Sequence, residues 1–356
     1  MKVAIIAPPF IPIPPKIYGG TELFIAQLAE GLSKSNIDVV VYTNGESTVG
    51  VERRWLYPVS QWPIKGEVYD NLADINHTAW AVRDAAEMCD VIHLNNAPGL
   101  VHSRFVDTPF VYTVHHQHEP DLMEFYAHYP DVQYVTISDF QRKHLPMPHV
   151  RTVHHGIDTA LYNLQETKQP YVAYLGRIAP VKGTHIAIQA AKASGIPLKI
   201  AGEVQPLFRK YFEEQVRPHI DGTFIEYVGE ADMEAKNELL GNAMAVLFPI
   251  QWDEPFGLVM IEAMACGTPV LALPGGSVAE VVREGVSGHV LESADDMARC
   301  VRDVEGRFKP REVRSYVEQH FSVQAMAGAY AQIYTELTNH QSDALAEPTG
   351  SHPFAA

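Results

Sequence analysis

The stretch 245–272 limits the possible folds of this chain more than any other. Ala245-Val246-Leu247-Phe248-Pro249 is short, apolar and rich in branched residues, the mark of a buried strand. A loop carrying Trp252, Asp253, Glu254 and Pro255 follows, and a compact helix opens at about Gly257. Gly267-Thr268-Pro269 closes that helix, and a second apolar strand, Val270-Leu271-Ala272, begins at once. Strand, loop, helix, strand is a parallel crossover, and ligands of such sheets gather at the carboxyl ends of the strands. Glu254 and Glu262 flank the helix N-terminus, which itself suits an anion. A hydroxyl-rich molecule carrying phosphate fits that combination.

The same unit recurs along the chain. Apolar strands at 3–7, 39–42, 91–94, 110–114, 134–137 and 150–153 alternate with helical stretches. After a polar segment at 163–170 the pattern restarts, with strands at 171–175, 198–201, 225–228, 245–249 and 270–272. The expected class is α/β, with two Rossmann-like, doubly wound parallel-sheet domains facing a central cleft. A length of 356 residues suits two domains at roughly 150 residues each. The expected boundaries are 1–158 and 159–322. A helix at about 323–338 is left over once the second sheet is complete, and a Ser-, Pro-, Gly- and Ala-rich tail, 339–356, reads as disordered. Ser138 with Gln141, and Ser277 with Glu280, have the spacing of capping boxes.

A formal charge of −16 argues against a nucleic-acid platform, which needs a basic surface. The three cysteines, Cys89, Cys266 and Cys300, lack metal or redox spacing and fit reduced thiols in a cytoplasmic protein. The apolar run after Met1-Lys2 is too short for a secretory signal, and no stretch approaches a membrane span. The helix at 21–34 holds one lysine and two glutamates, so membrane contact is expected to be peripheral at most.

Several constellations carry chemistry. Arg177 and Lys182 share one strand-to-helix loop bracketed by Gly176 and Gly183, a placement suited to a diphosphate. Gly19-Gly20, after a long Pro-rich loop, permits close backbone approach to a ligand at a helix start. Glu254 and Glu262 read as an acid/base pair, as acceptors for sugar hydroxyls or as solvated charges; acceptors are favoured, because ionised carboxylates bind vicinal hydroxyls well. In His115-His116-Gln117-His118-Glu119, alternation puts His116 and His118 on one side. A metal site there is weighed below a neutral histidine that hydrogen-bonds a substrate. No P-loop, no G-x-G-x-x-G after the first strand and no G-x-S-x-G elbow occurs.

These residues resemble the retaining glycosyltransferases of family 4, which have the GT-B architecture. The resemblance rests on Gly19-Gly20, Thr113-Val114-His115, Gly156-Ile157-Asp158 and Gly176-Arg177 to Lys182-Gly183. Above all it rests on Glu254-Pro255-Phe256-Gly257 through Glu262-Ala263, an E-x7-E motif, with Gly267-Thr268-Pro269-Val270 after it. The family often has Asn where this chain has His155. The resemblance implies a nucleotide-diphosphate sugar held in the cleft: ribose on Glu262, diphosphate on Arg177, Lys182 and the Gly257 and Leu258 amides. It also implies transferred-sugar hydroxyls on Glu254, with His115 reaching the sugar and Gly19 and Gly20 approaching the phosphates. Phe256 belongs to the same donor-binding stretch. The leftover helix would cross back onto the first domain.

The expected activity is hexosyl transfer to a hydroxyl acceptor with retention at the anomeric carbon. No cofactor or metal is expected beyond the sugar nucleotide, and Glu254, His115, Arg177 and Lys182 are the catalytic candidates. The donor base (UDP, GDP or ADP) and the carbohydrate or lipid-linked acceptor are left open by these residues. Aromatics of the first domain, Phe10, Tyr18, Trp55, Trp62, Phe125 and Tyr126, suit sugar stacking or plain packing. The rival readings are a sugar-nucleotide epimerase, a pyridoxal-dependent sugar phosphorylase and a non-catalytic carbohydrate-binding subunit.

Overall fold

A computed structural model describes residues 1–17, 19–64 and 69–346. The first sheet holds β1 (Lys2–Ile6), β2 (Asp38–Thr43), β3 (Glu52–Trp55), β4 (Val91–Leu94), β5 (Phe110–Val114), β6 (Gln133–Thr136) and β7 (Val150–Thr152). The second holds β8 (Val172–Leu175), β9 (Leu198–Ala201), β10 (Ile225–Gly229), β11 (Ala245–Phe248), β12 (Val270–Ala272) and β13 (Gly288–Val290). All pairs within both sheets are parallel. The strand orders are β3-β2-β1-β4-β5-β6-β7 and β10-β9-β8-β11-β12-β13. Each order reverses direction once, between β1 and β4 and between β8 and β11. A crevice opens where the connections diverge, at the carboxyl ends of those strands.

Two strands go beyond the sequence reading. β3, Glu-Arg-Arg-Trp, is a sheet edge whose polar residues hide any apolar alternation. β13, Gly-His-Val, is an edge of three residues, too short to show a period.

Apolar residues of both faces explain the layers. Val3, Ile5, Phe24, Leu28 and Leu32 form one core with Met326, Ala327, Tyr330 and Tyr334 of the helix Val323–Ala346. That helix therefore packs on the first sheet's helix Gly20–Lys34. Gly31 allows the approach: a Cβ there would lie 2.8 Å from the Ala327 Cβ. The chain crosses at Ser322, where the Ile157 amide donates to the Phe321 carbonyl at 3.0 Å and the Val323 amide to the Ile157 carbonyl at 3.1 Å. The helix runs on to Ala346, past the expected start of the tail at 339; residues 347–356 of that tail lie outside the described residues.

One capping box is half formed and the other is absent. Ser138 Oγ accepts from the Gln141 amide at 3.1 Å, whereas Gln141 Oε1 accepts from Ile137, one residue before the expected position. Ser277 caps nothing; its hydroxyl donates to the Phe256 carbonyl at 2.9 Å. The Glu280 carboxylate instead reaches across to the first domain, accepting from the amides of Asp139 (2.7 Å) and Phe140 (2.5 Å).

Candidate active site

A cavity of about 420 Å³ lies where the two crevices face each other. Gly19, Gly20, His115, Arg177, Lys182, Glu254, Phe256, Gly257, Leu258 and Glu262 all line it. The second-domain wall is two interlocked loops, one after β8 and one after β11. The Gln251 amide donates to the Val181 carbonyl at 2.7 Å. Gly183, at φ 71°, sits so close to Pro249 that an added Cβ would lie 1.9 Å from its carbonyl oxygen. Only glycine meets both demands. Gly257, at φ 80°, opens the helix Leu258–Ala265, which has no side-chain cap. Its first amides are thus left for a ligand. From the opposite wall Gly20 comes near: a Cβ there would touch Leu258 Cδ1 at 3.8 Å.

The two cations differ in their partners. Lys182 Nζ lies 2.6 Å from Glu254 Oε2, which also accepts from Trp252 Nε1 at 2.8 Å. The same ammonium stands 4.5 Å from the Trp252 ring centroid, a cation–π contact. Arg177 stacks on Phe208 at 5.6 Å, and its Nε is buried with no partner. Glu254 is 7% exposed and Glu262 2%. Glu262 Oε1 takes both Lys236 Nζ (2.7 Å) and the Tyr162 hydroxyl (2.9 Å). In each carboxylate one oxygen is therefore engaged and Oε1 of Glu254 or Oε2 of Glu262 is unclaimed among the described residues. Burial, and next the Glu262 charge, push the Tyr162 phenol well above its ordinary range, so it stays a donor.

Phe256 lies deeper than a ligand-facing ring. It is 1% exposed and packs edge-on to His155 at 5.1 Å and to Phe321 at 5.8 Å. Its ring forms the floor and its neighbours Gly257 and Leu258 carry the amides.

On the first-domain wall His115 Nε2 pairs with Asn95 Oδ1 at 2.9 Å. Burial, with the nearby His155 adding to it, holds His115 well below the ordinary imidazole range, so it is neutral. His116 points away, held by the hydroxyls of Tyr126 (2.7 Å) and Tyr112 (3.2 Å). His118 turns to the His144 carbonyl at 3.1 Å. The two therefore do not converge on a metal position. The described residues do bring Asp139, His154 and Glu280 together, but Glu280 is already spent on two backbone amides and His154.

Of the stacking candidates, Tyr126 is fully buried in hydrogen bonds to Tyr112 and His116, a packing residue. Trp55 and Trp62 are each 46% exposed. Tyr18 lies outside the described residues. Neither Trp252, Lys236, Tyr162, Asn95 nor His155 stood out as a site residue in the sequence. Trp252 had a local signal, an aromatic two residues before Glu254. Lys236 and Tyr162 lie 26 and 100 residues from Glu262, and only the fold joins them.

Two family models match adjoining parts of the chain. Residues 18–161 match Glycosyltransferase Family 4 and residues 162–316 match Glycosyl transferases group 1. Glycogen synthase of Mycobacterium tuberculosis is 31% identical over 201 residues, covering 52% of this chain and 48% of that protein. The chain thus spans about half the length of that curated relative. AviGT4, a glycosyltransferase involved in avilamycin A biosynthesis, superposes with a TM-score of 0.75 at 26% identity, over 95% of this chain and 98% of its own. Anabaena HepE in complex with UDP-glucose superposes at 0.74 with 18% identity, over 94% of this chain and 100% of its own, a likeness of fold. Two matching models in tandem, over two parallel-sheet domains that face one cleft, make the chain a member of the group 1 glycosyltransferases of the family 4 type, with the GT-B fold.

Proposed function

We infer that the protein moves a hexosyl group from a nucleotide-diphosphate sugar to a hydroxyl acceptor, with retention at the anomeric carbon. One observation carries this reading: a single cavity is lined by Arg177 and Lys182, an uncapped helix start, and the buried carboxylates of Glu254 and Glu262, each with one oxygen unclaimed among the described residues. HepE, a structural neighbour, was solved with UDP-glucose, which makes a UDP-sugar the first donor to test.

In the resting protein Lys182 neutralises Glu254. The incoming diphosphate draws the ammonium toward itself, and Arg177 and the amides of Gly257 and Leu258 complete the anion site. Glu254, still held by Trp252, then accepts hydroxyls of the transferred sugar. Glu262, fixed by Lys236 and Tyr162, accepts the ribose hydroxyls. The bond from the anomeric carbon to the diphosphate breaks, and the acceptor oxygen bonds to the same face. The acceptor proton passes to the departing phosphate oxygen. Charge growing on that phosphate is met by fixed cations and amides, the kind of term that usually dominates. They do so without a divalent metal.

Incubation of the protein with UDP-glucose and a panel of glycoside acceptors tests the reading. UDP release, with an unchanged anomeric configuration in the product's proton NMR spectrum, is the expected outcome. Isomerised UDP-glucose in the absence of acceptor would mean an epimerase instead. Lys182→Ala should weaken UDP-glucose binding about 10- to 100-fold, since a hydrogen bond to a charged group is worth about 1.5–3 kcal/mol. Unchanged turnover in that variant overturns the diphosphate role.

A further inference from the structure

We propose that Asn95 is a positioning residue that fixes His115 in one tautomer, so that the cleft receives a hydrogen-bond acceptor and His115 reads a hydroxyl. The argument begins at a carbonyl. Asn95 follows β4, is 7% exposed, and its Nδ2 lies 3.2 Å from the Ile6 carbonyl oxygen at the end of β1. A carbonyl only accepts, so the amide nitrogen must face Ile6 and the amide oxygen must face the other way. That oxygen is 2.9 Å from His115 Nε2. It also only accepts, so His115 carries its proton on Nε2. The imidazole is neutral, as its burial requires, and Nδ1 is left with a bare lone pair.

His115 lines the cavity, and Nδ1 has no partner among the described residues. Nor is it sealed, in contrast to His155 Nδ1, which is both buried and unpartnered. The ring cannot turn freely, because Phe24 packs edge-on to it at 5.0 Å and His155 stacks on it at 5.7 Å. A neutral acceptor at this point repels phosphate and carboxylate oxygens and takes a hydroxyl proton. Asn95 therefore sorts the two halves of a donor: the sugar to the His115 side, the diphosphate to the Arg177 and Lys182 side. This last step rests on the sugar-nucleotide reading above; the tautomer itself does not.

Long-range proton–nitrogen NMR on histidine-labelled protein reads the tautomer directly, with the His115 signals identified by their loss in His115→Gln. The expected spectrum shows a protonated Nε2 and a bare Nδ1 at neutral pH. A protonated Nδ1, or an imidazolium, overturns the assignment. Asn95→Leu, which removes the acceptor oxygen, should give a mixture of tautomers. Asn95→Leu should also weaken UDP-glucose binding about tenfold, the worth of one hydrogen bond, and leave UDP binding unchanged. Equal losses for UDP and UDP-glucose would mean a merely structural role and overturn the proposal. If the unmutated protein binds no sugar nucleotide, the donor reading falls, and the spectrum alone decides for or against Asn95.

Discussion

Glu22 stands in the first turn of the helix Gly20–Lys34, 8% exposed, on the cavity wall, with no ion-pair partner among the described residues. Burial pushes its carboxyl from the ordinary 4.5 up to about 7, against a smaller pull from its own backbone amide. A carboxyl raised on folding binds protons more tightly in the native state. Its contribution is therefore fully present below pH 4.5 and is lost as pH rises through about 7. A shift of that size corresponds to about 3 kcal/mol. Glu22→Gln, which cannot ionise, should gain stability over the parent by about that amount at pH 8 and by almost nothing at pH 4.5. Urea unfolding at the two values checks this, and a gap independent of pH contradicts it. Nothing in Gly-Gly-Thr-Glu marks this glutamate as buried and unpaired. Its burial comes from packing at the helix start, where a Cβ on Gly19 would lie 2.7 Å from Glu22 Oε2. Glu254 and Glu262 were easier to single out, because their eight-residue spacing and the flanking glycine sit within one local unit.

The short helix Val278–Val281 shows how an element acquires a job that its own sequence conceals. Ser277 and Glu280 have capping-box spacing, yet Ser277 turns back to the Phe256 carbonyl and Glu280 reaches out to Asp139 and Phe140 of the first domain. Burial works against the Glu280 charge, but His154 and the two amides outweigh it and hold the carboxyl below its ordinary value. A charged acceptor with two amide donors is worth more than a surface ion pair. Glu280→Ala should cost about 2 kcal/mol in thermal unfolding, and Glu280→Gln, which keeps one acceptor oxygen, should lose less. Equal stability of all three proteins contradicts a domain-spanning cap. Spacing rules describe contacts within an element, so a side chain that serves a distant one escapes them. β3 and β13 escaped for simpler reasons: one edge strand is mostly polar and exposed, and the other is only three residues long.

Across the whole molecule, the strand alternation and its restart after the polar segment at 163–170 made the two-sheet GT-B plan legible before any coordinates. The reversals in strand order then explain why loops from distant parts of the chain meet at one cavity. What stayed hidden is how each carboxylate is held: Trp252 and Lys182 on Glu254, Tyr162 and Lys236 on Glu262. Apart from Trp252, two residues from Glu254, these partners lie 26 to 100 residues away in the chain and are joined to the carboxylates by packing within the second domain, which no local spacing encodes. The acid-rich chain, at a formal −16, nevertheless presents Arg177, Lys182 and Lys236 together in this cleft. The central claim is that this cleft binds a nucleotide-diphosphate sugar, and thermal unfolding with UDP-, GDP- and ADP-glucose tests it most directly. A matching donor at about 100 times its Kd should add about 2.7 kcal/mol of stability. A melting temperature unmoved by every sugar nucleotide would contradict the account.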